Sequence, residues 1–544
     1  MNFKSIDPEK IRDLDAAKIV IRELLNVIEC FQSQINELKE ELQKLRDENN
    51  RLKGEQGKPK ISKNKDNDKG NFSSEKERKT PGSWSKSKKN SELSPTREEK
   101  IEIDKSQLPD DVLDKGYEEV IIQDLKIEVD VIKFYRRKYY SPSTQETFLA
   151  PLPDGYDGQF GPGLKTYIIL QYYGCNVSEA KIHEFLENVG IKISAGTLSK
   201  LVLDRNGIFK KEKDEIQKEG LKSTPWQNID DTGTRVNGKN GYCHIICNPL
   251  FVSYSTKPRK DRLTVLDVLM GNPEERFYRT DSLAYTLLEG FKVPIKYVEK
   301  LKSAFPGEQT ISEKEFQLKM TAYGIPEVYS ARIFEACAIS AYNFQTGYPI
   351  IELLICDDAP QFKSLTSKLS LCWVHEGRHY KKLTPCIDIN RKLLDGFLDE
   401  FWKFYRKLIE FKTNPVASMR EALIAEFEVL FTQKTGYADL DDRIKKTFEK
   451  KENLLMVLEH PEIPLHNNSA ENSARDRVRK RDVSYGPRTE EGAESWDTFM
   501  SIAGTARKLG VSFFKYMYDR FSKAYKMLSL SEMISIKAKG ALQH

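Results

Sequence analysis

The segment LHNNSAENSARDRVRKRDVSYGPRTEEG, residues 465–492, decides how the rest of the chain is read. It opens on three polar residues suited to a helix cap, Asn467, Asn468 and Ser469, and sets one acid, Glu471, in the first helical turn. Basic residues then crowd in at Arg475, Arg477, Arg479, Lys480 and Arg481. An acid at the head of a helix that turns basic suits a place where a metal ion meets a phosphodiester backbone. The carboxylate would hold the metal and the basic side chains the nucleic acid. The same letters also fit a capped surface helix with solvated charge. Acids elsewhere in the chain decide between the two.

Two such acids stand upstream. WQNIDDTGTRVNGKNGYCHIICNPLFVSYSTKP, from Trp226, reads as a hairpin and a further strand, with NG and GKNG turns. Asp230 and Asp231 are placed at the end of its first strand. IIELLICDD is a buried strand ending in Asp357 and Asp358, and LSLCWVHEGRHYKKL is a strand running into a helix. Between them, 271–345 reads as a long, largely helical insertion, and amphipathic helices fill 391–459. A lone Asp at a strand end is usually a turn residue. Two strand-end acids closed by a third from a helix instead match the chemistry of in-line phosphodiester attack. That chemistry uses two Mg²⁺ ions ~4 Å apart, held by a few hard oxygen ligands. The implied fold is α/β with a ribonuclease H-like catalytic core.

The whole chain is consistent with this. At 544 residues it has room for several domains, and 39% hydrophobic with 31% charged content is that of a soluble protein. A net charge of only +5 makes basicity a local feature. No run of about eighteen apolar residues exists, and the first residues lack the apolar core of a signal peptide, so a cytoplasmic protein with no membrane partner is expected. The eight cysteines are scattered without a CxxC pair and read as reduced thiols.

Residues 1–54 read as a coiled-coil arm. One heptad series is Ile21, Ile28, Ile35, Leu42 and Asn49; the other is Leu24, Phe31, Leu38, Leu45 and Leu52. Ile at a, Leu at d and a single Asn at a favour two parallel strands, hence a homodimer. A single amphipathic helix packed on its own body is the alternative. Residues 55–105 are a Lys/Ser-rich linker read as disordered. Residues 106–155 read as a small β-rich knuckle, with Ser141 and Thr144 where zinc-binding cysteines could stand. Residues 156–222 are helical, with Ser194 capping toward Thr197, and form a candidate DNA-binding domain. The catalytic domain is placed at 223–525 and a C-terminal tail at 526–544.

The chain resembles transposases of the insertion sequence 66 family, of DDE type, over about 110–525. The resemblance is carried by IDDTGTRVNG and NGYCHI, LICDDAPQF, CWVHEGRHY, HNNSAENSAR and TARKLGVSFFKYM. It implies Asp230, Asp357 and Glu471 as the catalytic and metal-holding acids, with Asp231 and Asp358 as neighbours that blur the first two by one residue. It implies Mg²⁺, with Mn²⁺ able to substitute, and DNA contacts from Arg475 and Arg481, beside the basic neighbours Arg477, Arg479 and Lys480. His375 and Arg378 match CWxH followed by Arg, in a supporting role. The expected partners are element-end and target DNA, a second copy, and possible accessory proteins of the same element. Cys372, His375, His379 and Cys386 have spacings that also permit zinc. Asn472 follows the third acid where the family commonly has Arg, and His466 stands where it commonly has Asp. These changes keep open a catalytically silent, DNA-binding relative acting as a repressor or architectural protein. A coiled-coil scaffold with purely structural acids is the third reading.

Overall fold

The computed structural model describes residues 13–52, 94–104, 113 and 116–541. The linker read over 55–105 therefore lies outside the described residues, apart from 94–104. Helix α1 (Leu14–Leu52) holds neither Gly nor Pro and runs unbroken. Along it Ile21, Ile28, Phe31, Ile35, Leu38, Leu42 and Leu45 are exposed, while Leu24 is half-buried. The side chains of Asn49 and Leu52 lie outside the described residues.

The β-rich reading of 106–155 is narrowed to its second half. Residues 116–137 form no regular element, and among the described residues of this segment only the hairpin β1 (Lys138–Ser141) and β2 (Glu146–Leu149) appears. The physical reason is exposure: Val120, Ile122, Val131 and Tyr135 have no sheet to cover, and an isolated two-stranded ribbon gives them none. Four helices follow: α2 (Pro162–Ile169), continued by one π-helical turn, α3 (Glu179–Asn188), α4 (Ala195–Leu201) and α5 (Ile208–Lys222). Ser194 accepts the Thr197 N–H at 3.2 Å, the cap that the sequence signals.

A five-stranded sheet forms the centre, in the order β5-β4-β3-β8-β9. Its first three strands are β3 (Trp226–Val236), β4 (Lys239–Cys247) and β5 (Val252–Lys257), joined as antiparallel neighbours. The β3–β4 turn places Asn237 at φ 49° and Gly238 at φ 75°, the paired left-handed residues that an NG hairpin requires. After α6 (Arg262–Leu269), the insertion comprises β6 (Phe277–Thr280), α7 (Ser282–Gly290), α8 (Ile295–Ala304), β7 (Gln309–Ser312), α9 (Glu313–Ala322) and α10 (Glu327–Phe344). It is largely helical, as read, but β6 and β7 pair within it as an antiparallel ribbon. Strands β8 (Leu353–Cys356) and β9 (Lys368–Leu371) then run parallel to β3.

Helices α11 (Trp373–Lys381), α12 (Asp388–Thr413), α13 (Ala417–Thr432), α14 (Ala438–Phe448) and α15 (Lys451–Leu454) build a lobe against β9. Trp373, fully buried there, packs among Phe401, Phe404, Phe427 and Phe431. Helix α16 (Asn468–Ser484) returns across β3 and β4, and α17 (Glu490–Leu509) lies along β5. Four residues of helix advance about 6 Å and two residues of strand about 6.6 Å, so one side chain per helical turn can meet alternate strand amides. Asp497, Ser501 and Thr505 accept the N–H groups of Thr256, Tyr254 and Val252 at 2.6, 2.9 and 3.2 Å. The open edge of β5 is thereby closed by side chains. Helices α18 (Phe513–Phe521) and α19 (Leu530–Ala541) follow. The segment read as a tail thus carries a helix, which packs on α5 and buries Leu530 and Ile534.

Candidate active site

The two acidic doublets meet where the sheet divides. Strand β3 pairs in parallel with β8 only over Trp226–Asn228, whereas its antiparallel pairing with β4 continues to Val236. Asp230 and Asp231 therefore sit mid-strand, just past the parallel segment, and their expected place at a strand end is corrected. Asp357 does stand immediately after β8. Glu471 comes in from the first turn of α16.

Asn467 brings that helix into register. Its side chain makes no cap, contrary to the sequence reading. Instead its amide donates to the Ile229 carbonyl at 2.7 Å, and its oxygen accepts from Asn228 at 2.8 Å. Its own backbone N–H reaches Cys372 Sγ at 3.3 Å. One buried amide therefore ties the residue before Asp230 to the helix bearing Glu471. Replacing it by Ala would leave the Ile229 carbonyl and Asn228 unpaired in the interior. Asn467→Ala is expected to cost about 1–3 kcal/mol in a denaturant melt.

The carboxylates repel one another. Burial, then the charge of Asp357, then those of Asp231 and Glu471, push the Asp230 carboxyl up to about 7, against the opposing Asp231 N–H. Burial also raises Asp357, although the Ala359 N–H and nearby His375 oppose it. The doublets can be told apart by their partners. Asp358 is engaged by Lys363 at 2.8 Å and Lys450 at 2.6 Å; burial pushes its carboxyl up, but these hydrogen bonds outweigh it and hold the group low. Lys450 in turn reaches the buried Glu376 at 3.1 Å. Asp231 accepts from Gln361 at 2.6 Å, with Lys260 at 3.7 Å. Among the described residues Asp230 and Asp357 have no ion-pair partner of this kind.

Arg378 holds Glu471 through both oxygens, at 3.1 and 3.0 Å, and Arg475 adds a contact at 3.4 Å. Such a fork-to-fork pair fixes orientation as well as charge. Among the described residues no three His, Cys, Asp or Glu side chains converge closely enough to hold a metal ion. The zinc alternative is thereby corrected: Cys372 Sγ is buried and accepts the His375 and Asn467 N–H groups, while Cys386 lies exposed. The acidic site differs in kind. Its donors are hard carboxylate oxygens, the type that suits Mg²⁺, but Asp230, Asp357 and Glu471 do not converge closely enough to hold an ion while Arg378 holds Glu471.

The basic residues of α16 divide by face. Arg475 and Arg479 are exposed, and Arg481 is half-buried with one nitrogen on the Gly233 carbonyl at 2.6 Å. Arg477 and Lys480 are enclosed, and their reading as DNA contacts is corrected. Arg477 pairs with Asp497 at 3.1 Å and donates to Thr256 at 2.8 Å. Lys480 donates to the Tyr172 carbonyl and lies 3.1 Å from the centroid of the Tyr172 ring. These two dock α16 on β5, α17 and the turn after α2. Arg475→Ala and Arg479→Ala remove exposed charges and are expected to change stability by no more than about 0.5 kcal/mol each. Arg477→Ala is expected to cost about 3–5 kcal/mol in a thermal or denaturant melt, because Asp497 is left buried and unpaired.

Comparisons place this architecture among known proteins. The chain is 30% identical over 322 residues to "Uncharacterized protein y4jO" of Sinorhizobium fredii (strain NBRC 101917 / NGR234), covering 59% of this chain and 99% of that protein. The family description "Transposase IS66 family" matches residues 157–284 and 317–495. The first matched segment contains Asp230 and the second Asp357 and Glu471, while 285–316, inside the helical insertion, falls between them. The chain belongs to the transposase IS66 family.

Proposed function

We propose that this transposase cuts and joins DNA at element ends by the DDE route, with Asp230, Asp357 and Glu471 as its acids. The reading is carried by one observation: Asp230 lies just past the parallel β3–β8 segment, Asp357 directly follows β8, and Asn467, at the head of the helix bearing Glu471, bonds the Ile229 carbonyl, so acids far apart in sequence are brought to the fork of a single sheet. The mixed sheet, antiparallel on one side of β3 and parallel on the other, supports a ribonuclease H-like core.

Bound Mg²⁺ or Mn²⁺ would supply Lewis-acid stabilisation to the attacking and leaving oxygens. The residues do the rest. Asp230 presents oxygen donors from within β3 and Asp357 from directly after β8, and Asn467 sets the approach of Glu471. Arg378 stores Glu471 as an ion pair and, once released, faces the phosphate as a cation. Arg475 and Arg479 hold the DNA backbone along the outer face of α16. In the reaction water first attacks the phosphodiester at the element end; the freed 3′ hydroxyl then attacks target DNA. The exposed heptad positions of α1 support a homodimer, which pairs two element ends.

A silent DNA-binding relative is favoured by one specific observation, the saturation of Glu471 by Arg378. A nicking and strand-transfer assay on labelled element ends with Mg²⁺ or Mn²⁺ separates the two. Metal-dependent joining supports the transposase reaction; DNA binding without cleavage supports the silent relative. Among the described residues no helix is long and apolar enough to cross a membrane.

A further inference from the structure

Helix α1 carries two faces of opposite character. The heptad residues Ile28 and Ile35 on one side are exposed. At about 100° per residue, Asn26 lies roughly 160° around the helix from Ile28, and Glu29 the same from Phe31. Both polar residues reach the lobe that follows β9. Glu29 is buried, with 5% of its surface exposed, and its carboxylate accepts the backbone N–H groups of Cys386 and Ile387, the latter at 3.2 Å, and the Asn390 amide at 3.2 Å. These groups form the N-terminus of α12, where Ile387 at the cap position offers no side-chain acceptor. Asn26 accepts the Ala438 N–H at 3.2 Å and donates to the Gly436 carbonyl at 3.1 Å, at the N-terminus of α14. That helix also has no side-chain cap of its own. Gly436, at φ 83°, lets Arg22 approach to 3.2 Å from where a Cβ would stand.

Two helices without caps are thus capped by two residues of α1, an arrangement that orients the arm as well as attaching it. We propose that Asn26 and Glu29 clamp α1 to the lobe of its own chain, leaving the opposite face for α1 of a second copy. The arm is then a rigid strut, and pairing fixes how two catalytic bodies face each other. The second-copy part rests on the homodimer reading; the clamp does not.

The test uses the full chain with Asn26→Ala and Glu29→Ala together, and Glu29→Gln as the shape-preserving variant. Hydrogen exchange at the amides of Cys386, Ile387 and Ala438 is expected to accelerate about tenfold or more in the double variant, and less in Glu29→Gln. Light scattering is expected to show a dimer for both, and a monomer for Ile28→Asp with Ile35→Asp, whose exchange at those amides stays slow. Nicking of a single end is expected to persist in the double variant while joining of paired ends falls about tenfold, the effective-concentration advantage of a fixed geometry being lost. Unchanged exchange at the three amides in the folded double variant overturns the clamp. A monomeric wild type with slow amides overturns only the pairing and leaves the clamp standing.

Discussion

On the proposed DDE reading, Asp357→Ala is expected to lower strand transfer by about 10³-fold or more, with folding and DNA binding retained, since it removes a group that would stabilise charge in the transition state. The informative comparison is its neighbour. Asp358 spends its carboxylate on Lys363 and Lys450, and Lys450 continues to the buried Glu376. Asp358→Ala therefore removes a structural pair; its cost appears in the melting temperature, and joining falls by no more than about tenfold. The same contrast is expected between Asp230→Ala and Asp231→Ala, since Asp231 is held by Gln361 and Lys260. Glu471→Ala is expected to abolish joining too, and to free Arg378 for phosphate. The assay is strand transfer on labelled element ends with Mg²⁺, beside a melt and a binding isotherm for each variant. Full joining by Asp357→Ala with none by Asp358→Ala would reverse the assignment within the doublet. Full joining by both would remove the site.

Much of this arrangement could be read from the letters, because local chemistry and tertiary demand agree there. The Asn-Gly turn, the buried run Leu353–Cys356 ending in acids, and the cap at Ser194 each follow from a rule acting over a few residues. The misreadings within α16 share one cause. Ala470, Ser473, Ala474, Arg477 and Lys480 are the buried residues of α16, at spacings of three and four. That is the inward stripe of a helix, but filled with small and charged residues, so hydrophobicity gives no sign of it. Arg477 and Lys480 then look like surface cations when they are docking groups, satisfied by Asp497 and by the Tyr172 carbonyl from distant elements. Asn467 misleads similarly. A polar residue before a helix is normally its cap, yet this one serves β3. The spacing of Asp497, Ser501 and Thr505 carried a readable signal, one polar group per turn on the buried face of the helix. Its use as an edge cover for β5 requires knowing which strand is at the edge.

Asp230→Asn is expected to stabilise the metal-free protein near pH 8 and to leave it unchanged near pH 4. The sign follows from linkage. The Asp230 carboxyl has an ordinary value of 3.8 and is pushed up to about 7 in the fold, by burial first and then by Asp357. Below the lower value both folded and unfolded chains keep the proton, and the group favours neither. Between the two values the unfolded chain releases its proton while the folded chain retains it, so stability falls as pH rises. Above about 7 the folded site holds the anion as well, and the loss is complete. A neutral isostere escapes this loss. The upper bound for such a shift is about 4 kcal/mol, and remaining solvent contact and relaxation of Asp357 reduce the expected gain to about 2 kcal/mol. On the proposed reading, a divalent cation is expected to reverse the ordering. Mg²⁺ is expected to raise the melting temperature of the wild type at pH 8 and to move Asp230→Asn far less, because binding to the folded state alone adds stability in proportion to ligand occupancy. Melting curves at three pH values, with and without Mg²⁺, measure both effects without any DNA or turnover. A wild type whose melting is indifferent to Mg²⁺, and whose gap to Asp230→Asn does not open between pH 4 and pH 7, would mean that Asp230 is an ordinary solvated acid rather than one part of a buried, cation-seeking cluster.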